Sequence, residues 1–360
     1  MVNSRITYWK HICPSTVAVS RMRGVPPRLQ FAKRPAKKMA PVAVLFETRA
    51  RNAFRRRLLA WYDIHRRDLP WRKDRDPYRV WLSEIMLQQT RVAAVIEKYG
   101  EFLQLFPTVK VLAEASQPAV LAAWSGLGYY RRARALHEAA RKIVRERGGE
   151  FPATAEAWRE LPGIGRYTSA AIASIVFGEK SAVVDGNVER VVERLLGRRL
   201  SSAAVWEIAE RLLSPLRPGD FNQAMMELGA TVCVPGEPKC LLCPVASVCV
   251  TRGNLPGTGK PQRTTKATVF YALDWCDGKV TLAQRPRQAS VMPLMWELPE
   301  VEPGATSKVW LRLKHSITTT NYDVRVVRGE VGGKKVAVAR LGEMPLTGLA
   351  RKILRAAEIL

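Results

Sequence analysis

Two carboxylates lie in segments of this sequence where their protonation states would differ. Glu84 belongs to residues 80–90, where helical spacing places it on one face with Trp81 and Gln88. Desolvation on an apolar face keeps a carboxylic acid protonated, which makes it usable as a general acid near neutral pH. A glutamate that is paired in the core is the more common reason for such a position.

Asp185 follows the apolar residues 181–184 and begins a helical pattern, where an aspartate usually serves as the N-cap. A fixed, ionised aspartate can also stabilise positive charge that develops on a sugar, as the second carboxylate of a glycosidase does. Cleavage of a glycosidic bond requires one protonated and one ionised carboxylate. Glu84 and Asp185 are therefore candidates for that pair.

A glycine turn at residues 161–168, with the sequence LPGIGRYT, precedes Asp185 by about twenty residues. Gly163 and Gly165 can adopt positive φ, and the helical run behind them places free backbone amides at a helix start, where one phosphate can bind. This pattern is typical of a helix-hairpin-helix, which grips a nucleic-acid backbone without reading its sequence. An ordinary helical hairpin would carry the same glycines.

Four of the six cysteines fall within seventeen residues, with spacers of six, two and five residues: Cys233, Cys240, Cys243 and Cys249. Four thiolates hold either zinc or a 4Fe-4S cluster, and the spacing does not decide between them. The clustering indicates a metal site in a reducing compartment rather than a disulfide scaffold.

Residues 124–132, with the sequence WSGLGYYRR, combine glycines with two tyrosines and two arginines. Tyr129 or Tyr130 can wedge into a base stack while the arginines meet phosphates. One of the two tyrosines is expected to be a core residue at a helix start instead.

The formal net charge of +26, from 58 basic and 32 acidic residues, indicates a polyanionic partner. No apolar run is long enough to span a membrane. Residues 1 to about 40 carry nine Lys and Arg and no acidic residue, so we expect disorder there. A plain basic tail, an extension upstream of the true start and a targeting peptide are the open interpretations.

These candidates need elements that position them. Helical spacing of apolar residues predicts an all-α region with helices at 48–65, 78–102, 110–115, 117–124, 131–147, 154–160, 166–177, 186–196, 203–214 and 220–230. Residues 252–266 are rich in Gly and Pro and predict a linker. Strand patterns follow at 268–273, 279–284, 323–328 and 335–340, and a closing helix is capped by Thr347, which makes the second region α+β.

With these motifs in place, the chain resembles the endonuclease III superfamily of DNA glycosylases, and within it the MutY-type adenine glycosylase branch. The matching stretches are residues 80–92, 124–133, 161–168, 184–190, 221–229 and the four cysteines. The resemblance implies a multidomain α and α+β protein: an all-α helix-hairpin-helix glycosylase domain at 42–251, with an iron-sulfur cluster loop at 233–249, and a Nudix-like lesion-recognition domain at 267–360, after an extension at 1–41 and the linker at 252–266.

The resemblance also implies roles for individual residues. Glu84 would protonate N7 of a flipped-out adenine, Asp185 would stabilise the oxocarbenium-like sugar, and Tyr167 and Asn187 would orient the site. Bifunctional relatives carry a lysine in place of Tyr167, so we expect a monofunctional enzyme without lyase activity. The remaining predicted DNA contacts within the helical region are Gln88, Gln89, Arg91, Tyr129, Tyr130, Gly163 and Gly165.

In the C-terminal region, the family's Phe-Ser-His loop, which contacts 8-oxoguanine, corresponds to Ile317, Thr318 and Thr319, so its histidine is lost. Three glutamates interrupted by prolines, Glu297, Glu300 and Glu302, argue against Nudix pyrophosphatase chemistry.

The expected partner is double-stranded DNA with adenine opposite 8-oxoguanine or guanine, bound by a cytoplasmic, nucleoid-associated monomer that carries a 4Fe-4S cluster. The alternatives are a thymine or uracil mismatch glycosylase, a non-catalytic helix-hairpin-helix DNA-binding protein, and a Nudix hydrolase on a DNA-binding module.

Overall fold

The computed structural model describes residues 47–255, 264–289, 291–302, 308–317 and 319–360. The predicted extension at 1–41 and most of the predicted linker lie outside these ranges. In the described part, no helix is long and apolar enough to cross a membrane.

The first region, up to residue 255, contains helices and no strand among its described residues, so the all-α prediction is confirmed. Short 3-10 turns lie at Pro70–Arg72, Cys240–Leu242 and Ala246–Val248. The α-helices are α1 (Thr48–His65), α2 (Pro77–Leu87), α3 (Val92–Leu105), α4 (Val109–Glu114), α5 (Gln117–Ala123), α6 (Arg131–Arg147), α7 (Ala155–Arg159), α8 (Arg166–Phe177), α9 (Gly186–Leu196), α10 (Ser202–Leu212) and α11 (Pro218–Thr231).

The helices pack around two apolar cores. One core is built on the fully buried rings of Trp81, Trp124 and Trp158 from the α2–α8 segment. The other joins α1 to α9, α10 and α11 around Phe54 and Phe221. Burying each such side chain contributes about 1.5–3 kcal/mol, so the two cores hold the helices that carry the site in fixed positions.

The sequence prediction of one helix over 78–102 is wrong, because the chain breaks between α2 and α3. Gln89 adopts φ +54° in this break. The guanidinium of Arg132, from α6, donates to the carbonyl oxygens of Ile85 (2.9 Å) and Met86 (3.0 Å), which satisfies groups that a helix end leaves open. Since the stop signal comes from another helix, the local apolar pattern does not reveal it.

The second region contains seven strands, a 3-10 helix at Val338–Glu343 and α12 (Gly348–Ala356). The strands are β1 (Thr265–Leu273), β2 (Trp275–Cys276), β3 (Lys279–Gln284), β4 (Trp296–Glu297), β5 (Val309–Ile317), β6 (Thr320–Arg328) and β7 (Lys334–Ala337). One sheet has the order β1-β6-β5, with β1 parallel and β5 antiparallel to β6, while β3 pairs with β2, β4 and β7 in antiparallel register. The α+β prediction agrees with this region.

Two strand predictions need correction. The strand predicted at 335–340 ends at Ala337 and continues as a 3-10 helix, and β5 has no counterpart in the prediction. β7 ends where its pairing with the distant β3 ends, which the local pattern does not contain. β5 pairs with β6, the next strand in the sequence, and its omission is a missed alternating pattern.

The two regions pack against each other at the start of α6. The hydroxyl groups of Ser125 and Tyr130 donate to the carbonyl oxygen of Leu346 at 3.2 and 3.1 Å. Arg134 donates to the carbonyl oxygen of Pro293, and Met295 is fully buried in the core of the helical region. The strand-containing region is therefore held beside the glycine-rich loop that precedes α6.

Candidate active site and nucleic-acid interface

One cavity of about 1400 Å³ contains both candidate carboxylates. Its wall includes these predicted site residues: Glu84, Gln88, Gln89, Tyr129, Tyr130, Gly163, Gly165, Tyr167, Asp185, Asn187 and Ile317. Arg91 and Thr319 are not among the lining residues, and Thr318 lies outside the described residues. The structure thus brings residues from five separate segments of the sequence around one space.

Glu84 is buried within α2, with only 7% of its surface exposed. Desolvation by burial raises the pKa of Glu84 to about 7, although a hydrogen bond from Tyr167 acts in the opposite direction. The Tyr167 hydroxyl donates to Oε2 of Glu84 at 2.9 Å, and burial raises the pKa of Tyr167 well above its usual range, so this hydroxyl keeps its proton. Glu84 can therefore carry a proton at neutral pH at the wall of the cavity.

Asp185 is the N-cap of α9, as its sequence position indicates. Its Oδ1 accepts from the backbone amide of Val188 at 2.7 Å, and its Oδ2 accepts from Nδ2 of Asn187 at 2.8 Å. The N-terminal end of a helix also favours negative charge. The capping interaction and a role in the cavity are therefore compatible, because the cap fixes a carboxylate that lines the cavity.

A chain of polar contacts continues from Asn187 towards the cysteine loop. Arg190 donates to Oδ1 of Asn187 (2.9 Å) and to the carbonyl oxygens of Gly229 (2.6 Å) and Cys233 (2.8 Å). A side chain at Gly229 would place its Cβ 2.6 Å from Cβ of Asn187. Only glycine allows α11 to approach α9 this closely, and the approach fixes the orientation of Asn187.

The segment that leads into Asp185 is held by Asn222 of α11. This buried amide accepts from the backbone amide of Val183 (3.2 Å) and donates to the side chain of Ser174 (2.9 Å) and the carbonyl oxygen of Ser181 (2.8 Å). Sequence analysis did not identify Asn222, because its partners are about forty residues away.

The hairpin lies between α7 and α8, and its two glycines differ. Gly163 adopts φ +77°, and a Cβ there would lie 2.6 Å from Cβ of Ala135, so both backbone conformation and packing require glycine. Gly165 is the N-cap of α8 at φ −93°, with no atom within 4 Å of a built Cβ. Positive φ, which glycine permits at both positions, occurs at Gly163 and not at Gly165.

Burial distinguishes the two tyrosines. Tyr130 is 2% exposed and donates to Leu346, so it is the core residue of the pair. Tyr129 is 45% exposed at φ +48°, which leaves it as the ring available to DNA. The prediction that the adjacent arginines meet phosphate is wrong for Arg132. Its guanidinium donates to the carbonyl oxygens of Ile85 and Met86 at the end of α2 and to that of Leu127.

Three charged residues that sequence analysis did not assign also line the cavity. The Glu227 side chain is fully buried and accepts from Nε of Arg67 (2.6 Å) and from Arg72 (2.9 Å). No local signal in the sequence marks Glu227, because its partners Arg67 and Arg72 lie 160 and 155 residues away. These side chains place a paired carboxylate and two guanidinium groups beside Glu84.

The strand-containing region contributes His315, Ser316 and Ile317 to the same wall. His315 and Ile317 share one face of β5 because side chains alternate along a strand. An imidazole therefore lies on the face of β5 that carries Ile317, two residues before it, although position 319 holds threonine instead of the family's histidine. Glu297, in β4, pairs with Arg285 at 2.6 Å, and no helix is present among the described residues of 285–302.

The four cysteines line one small cavity together with Arg194, and none forms a disulfide. Among the described residues, no group of three or more His, Cys, Asp or Glu side chains is arranged to hold one metal ion. The donor set itself, four free thiols around one small space, fits a metal centre with four thiolate ligands.

Comparison with known proteins places this fold and site in a class. Residues 82–218 match the family model described as "HhH-GPD superfamily base excision DNA repair protein". A solved thermostable thymine-DNA glycosylase is 33% identical, with a TM-score of 0.53, and the match covers 56% of this chain and 96% of that one. The chain belongs to the HhH-GPD superfamily of base excision DNA repair proteins.

Within that superfamily, the chain is similar to curated adenine DNA glycosylases. The protein of Rattus norvegicus is 55% identical over 286 residues, which cover 71% of this chain and 55% of that protein. The protein of Arabidopsis thaliana is 39% identical over 310 residues, covering 71% of this chain and 49% of that protein. The chain spans about half the length of these relatives.

Proposed function

We propose that this chain is a monofunctional DNA glycosylase that hydrolyses the N-glycosidic bond of adenine opposite 8-oxoguanine or guanine in duplex DNA. The observation that carries the proposal is the buried Glu84, whose pKa burial raises to about 7, in one cavity with Asp185. The similarity to curated adenine DNA glycosylases supports the choice of base.

In the proposed mechanism, a flipped-out adenine enters the cavity and Glu84 donates its proton to N7. Protonation makes adenine a better leaving group, so the glycosidic bond breaks. Tyr167 holds Glu84 in place through its hydrogen bond at 2.9 Å. Asp185, fixed by the amide of Val188 and by Asn187, stabilises the positive charge on the sugar. Water then attacks the sugar with Glu84 as the base.

The residue after Gly-Ile-Gly-Arg decides between two reaction classes. A lysine there would attack the sugar and form an imine, which leads to strand cleavage. Tyr167 has no amine, so we propose base release without lyase activity. We further propose that the Gly163–Gly165 amides and Arg91 hold the strand, and that Gln89 and Tyr129 fill the space left by the flipped base.

We also propose that Cys233, Cys240, Cys243 and Cys249 hold a 4Fe-4S cluster. The strand-containing region would be a Nudix-like domain, and the protein a monomer. Such a cluster links four points of the chain and supplies folding free energy when bound. Arg194, which donates to the carbonyl oxygens of Cys233 (3.2 Å) and Val234 (2.8 Å), orders the loop around it. A brown preparation absorbing near 400 nm supports this, whereas a colourless protein with stoichiometric zinc would refute it.

The direct test of the proposed activity is single-turnover base release from duplexes with adenine opposite 8-oxoguanine, guanine or cytosine, and with thymine opposite guanine. Strand breaks are measured before and after alkali. We expect adenine release opposite 8-oxoguanine and guanine, with breaks only after alkali. Release of thymine alone would favour the mismatch-glycosylase alternative, and release from no duplex would favour a DNA-binding module.

A further inference from the structure

One face of the β1-β6-β5 sheet is exposed and strongly basic. Along β5, Leu311, Leu313 and His315 are partly buried, whereas the alternate residues Trp310, Arg312 and Lys314 are exposed. Register pairs Arg312 with Arg325 of β6, and the guanidinium of Arg328 lies 4.1 Å from the ring centre of Trp310. We call Trp310, Arg312, Lys314, Arg325 and Arg328 the basic sheet face.

The charges of this face are poorly balanced by the protein itself. Among the described residues, Asp323 is the one carboxylate that pairs with the cations of this face. It lies 3.1 Å from Arg325 and 3.6 Å from Arg312. Like charges directly opposite each other on a sheet destabilise it, so an anionic ligand on this face would relieve the repulsion.

The basic sheet face is continuous with the cavity. β5 ends in His315, Ser316 and Ile317, which line the cavity wall, and the exposed positions run back from Ser316 to Trp310. The six residue-to-residue steps from Trp310 to Ser316 span about 20 Å at roughly 3.3 Å per step. Duplex DNA carries one negative charge per about 1.7 Å of its axis, so a flank that leaves the cavity along β5 would present several phosphates to these cations.

We propose that the basic sheet face binds the phosphate backbone of the duplex beside the mispair, which extends the DNA interface beyond the cavity. This inference rests on the proposed function, because it takes the cavity to hold a base from duplex DNA. The N-terminal residues 1–40 carry nine basic and no acidic residues, so charge argues against that segment as the occupant. Trp310 orients Arg328 by a cation–π contact, a role that does not depend on base sequence.

The test measures how duplex affinity depends on salt. The double variant Arg312→Ala/Lys314→Ala removes two exposed cations; the Arg312 side chain is 61% exposed, so the fold should tolerate its loss. The control, Arg145→Ala/Arg147→Ala, removes the same charge at the far end of α6, about 20 Å along that helix from Arg132 at roughly 1.5 Å per residue. Both are made in the full chain and titrated by fluorescence anisotropy with a long duplex and with one that covers little more than the mispair.

We expect the slope of log Kd against log salt to fall by about 1.8 for the first variant, from about 0.9 per phosphate contact. That corresponds to a roughly tenfold smaller change in Kd over a fourfold range of salt. The control should keep the parental slope, and the difference should vanish on the short duplex. The single-turnover rate at saturating enzyme should stay within about twofold for both variants.

Equal slopes for the two variants on the long duplex would overturn the inference and leave an acidic protein surface as the better occupant. The outcome is separable from that of the proposed function. A parent that releases no base but shows the slope difference would refute the activity and retain the surface. A parent that releases adenine without a slope difference would support the activity and refute the role of the basic sheet face.

Discussion

The helical region and the strand-containing region contribute to the cavity in different ways. In the helical region, the side chains with chemistry are buried and fixed: Glu84 accepts from Tyr167, and Asp185 caps α9. In the strand-containing region, the contribution is the exposed end of β5, held to the helices by a few contacts such as that of Tyr130 with Leu346. Under the proposed function, the first region would carry out the reaction and the second would discriminate the opposite base.

This division predicts that changes in the helical region alter stability and the reaction on every duplex. Changes at the end of β5 should instead alter the ratio between duplexes. The following experiments examine the two halves of the comparison.

The largest expected effect on stability comes from the proton on Glu84. Burial raises its pKa from 4.5 to about 7, so between these pH values the folded chain holds a proton that the unfolded chain has released. The free energy of unfolding should therefore decrease as pH rises through this range, by roughly 3 kcal/mol. Glu84→Gln should remove that dependence in urea titrations, whereas Glu97→Gln, on the exposed side of α3, should retain it. A parental slope in Glu84→Gln would contradict the burial argument.

Arg132→Ala should cost about 2–3 kcal/mol of stability, because it leaves the carbonyl oxygens of Ile85 and Met86 without a donor in a buried place. It should also slow base release on every duplex, since it loosens the end of the helix that carries Glu84. The exposed neighbour Arg131 is the matched control for chemical denaturation. If both variants unfold at the same denaturant concentration, Arg132 does not hold the break between α2 and α3.

The hairpin glycines provide a smaller, paired comparison. Gly163→Ala meets both positive φ and a contact of 2.6 Å with Ala135, so we expect a loss of about 2 kcal/mol. Gly165→Ala, at φ −93° and in open space, should lose no more than about 1 kcal/mol, the cost of placing alanine at an N-cap. Thermal unfolding of the two variants distinguishes them, and equal losses would mean that the turn differs from the one described.

The smallest expected effect lies in the strand-containing region. His315→Ala should reduce the preference for 8-oxoguanine over guanine by several-fold, equivalent to about 1 kcal/mol for one lost hydrogen bond. Stability and the rate on the guanine duplex should change little, because His315 is only partly buried. The measurement is the ratio of kcat/KM on the two duplexes, with Lys335→Ala, at an exposed position of β7, as the control. An equal fall on both duplexes would place His315 with the helical site and weaken the comparison.

Sequence alone predicts the features that depend on local signals. The cap at Asp185, the positive φ of Gly163 and the position of Glu84 on an apolar helix face all follow from neighbouring residues. Sequence identifies Tyr129 and Tyr130 as a pair of candidates, but only the structure shows that Tyr129 is exposed and Tyr130 is buried.

The features that sequence does not predict depend on distant partners. Arg132 ends a helix more than forty residues earlier in the chain, and Glu227 binds two arginines from the loop before α2. The parallel pairing of β1 with β6 joins Thr265 to Thr320. Local periodicity does not contain such pairings, so the break after α2, the buried charges of the cavity and the parallel pairing of β1 with β6 emerge only from the folded chain.

The most direct test of the central claim is the single-turnover rate of adenine release by Glu84→Gln, measured beside the parent on a duplex with adenine opposite 8-oxoguanine. Glutamine keeps the size of the side chain but has no proton to give to the base. We predict a rate lower by about 10²–10⁴-fold, with duplex affinity retained. Release at the parental rate would show that Glu84 is not the acid and would remove the basis of the proposed mechanism.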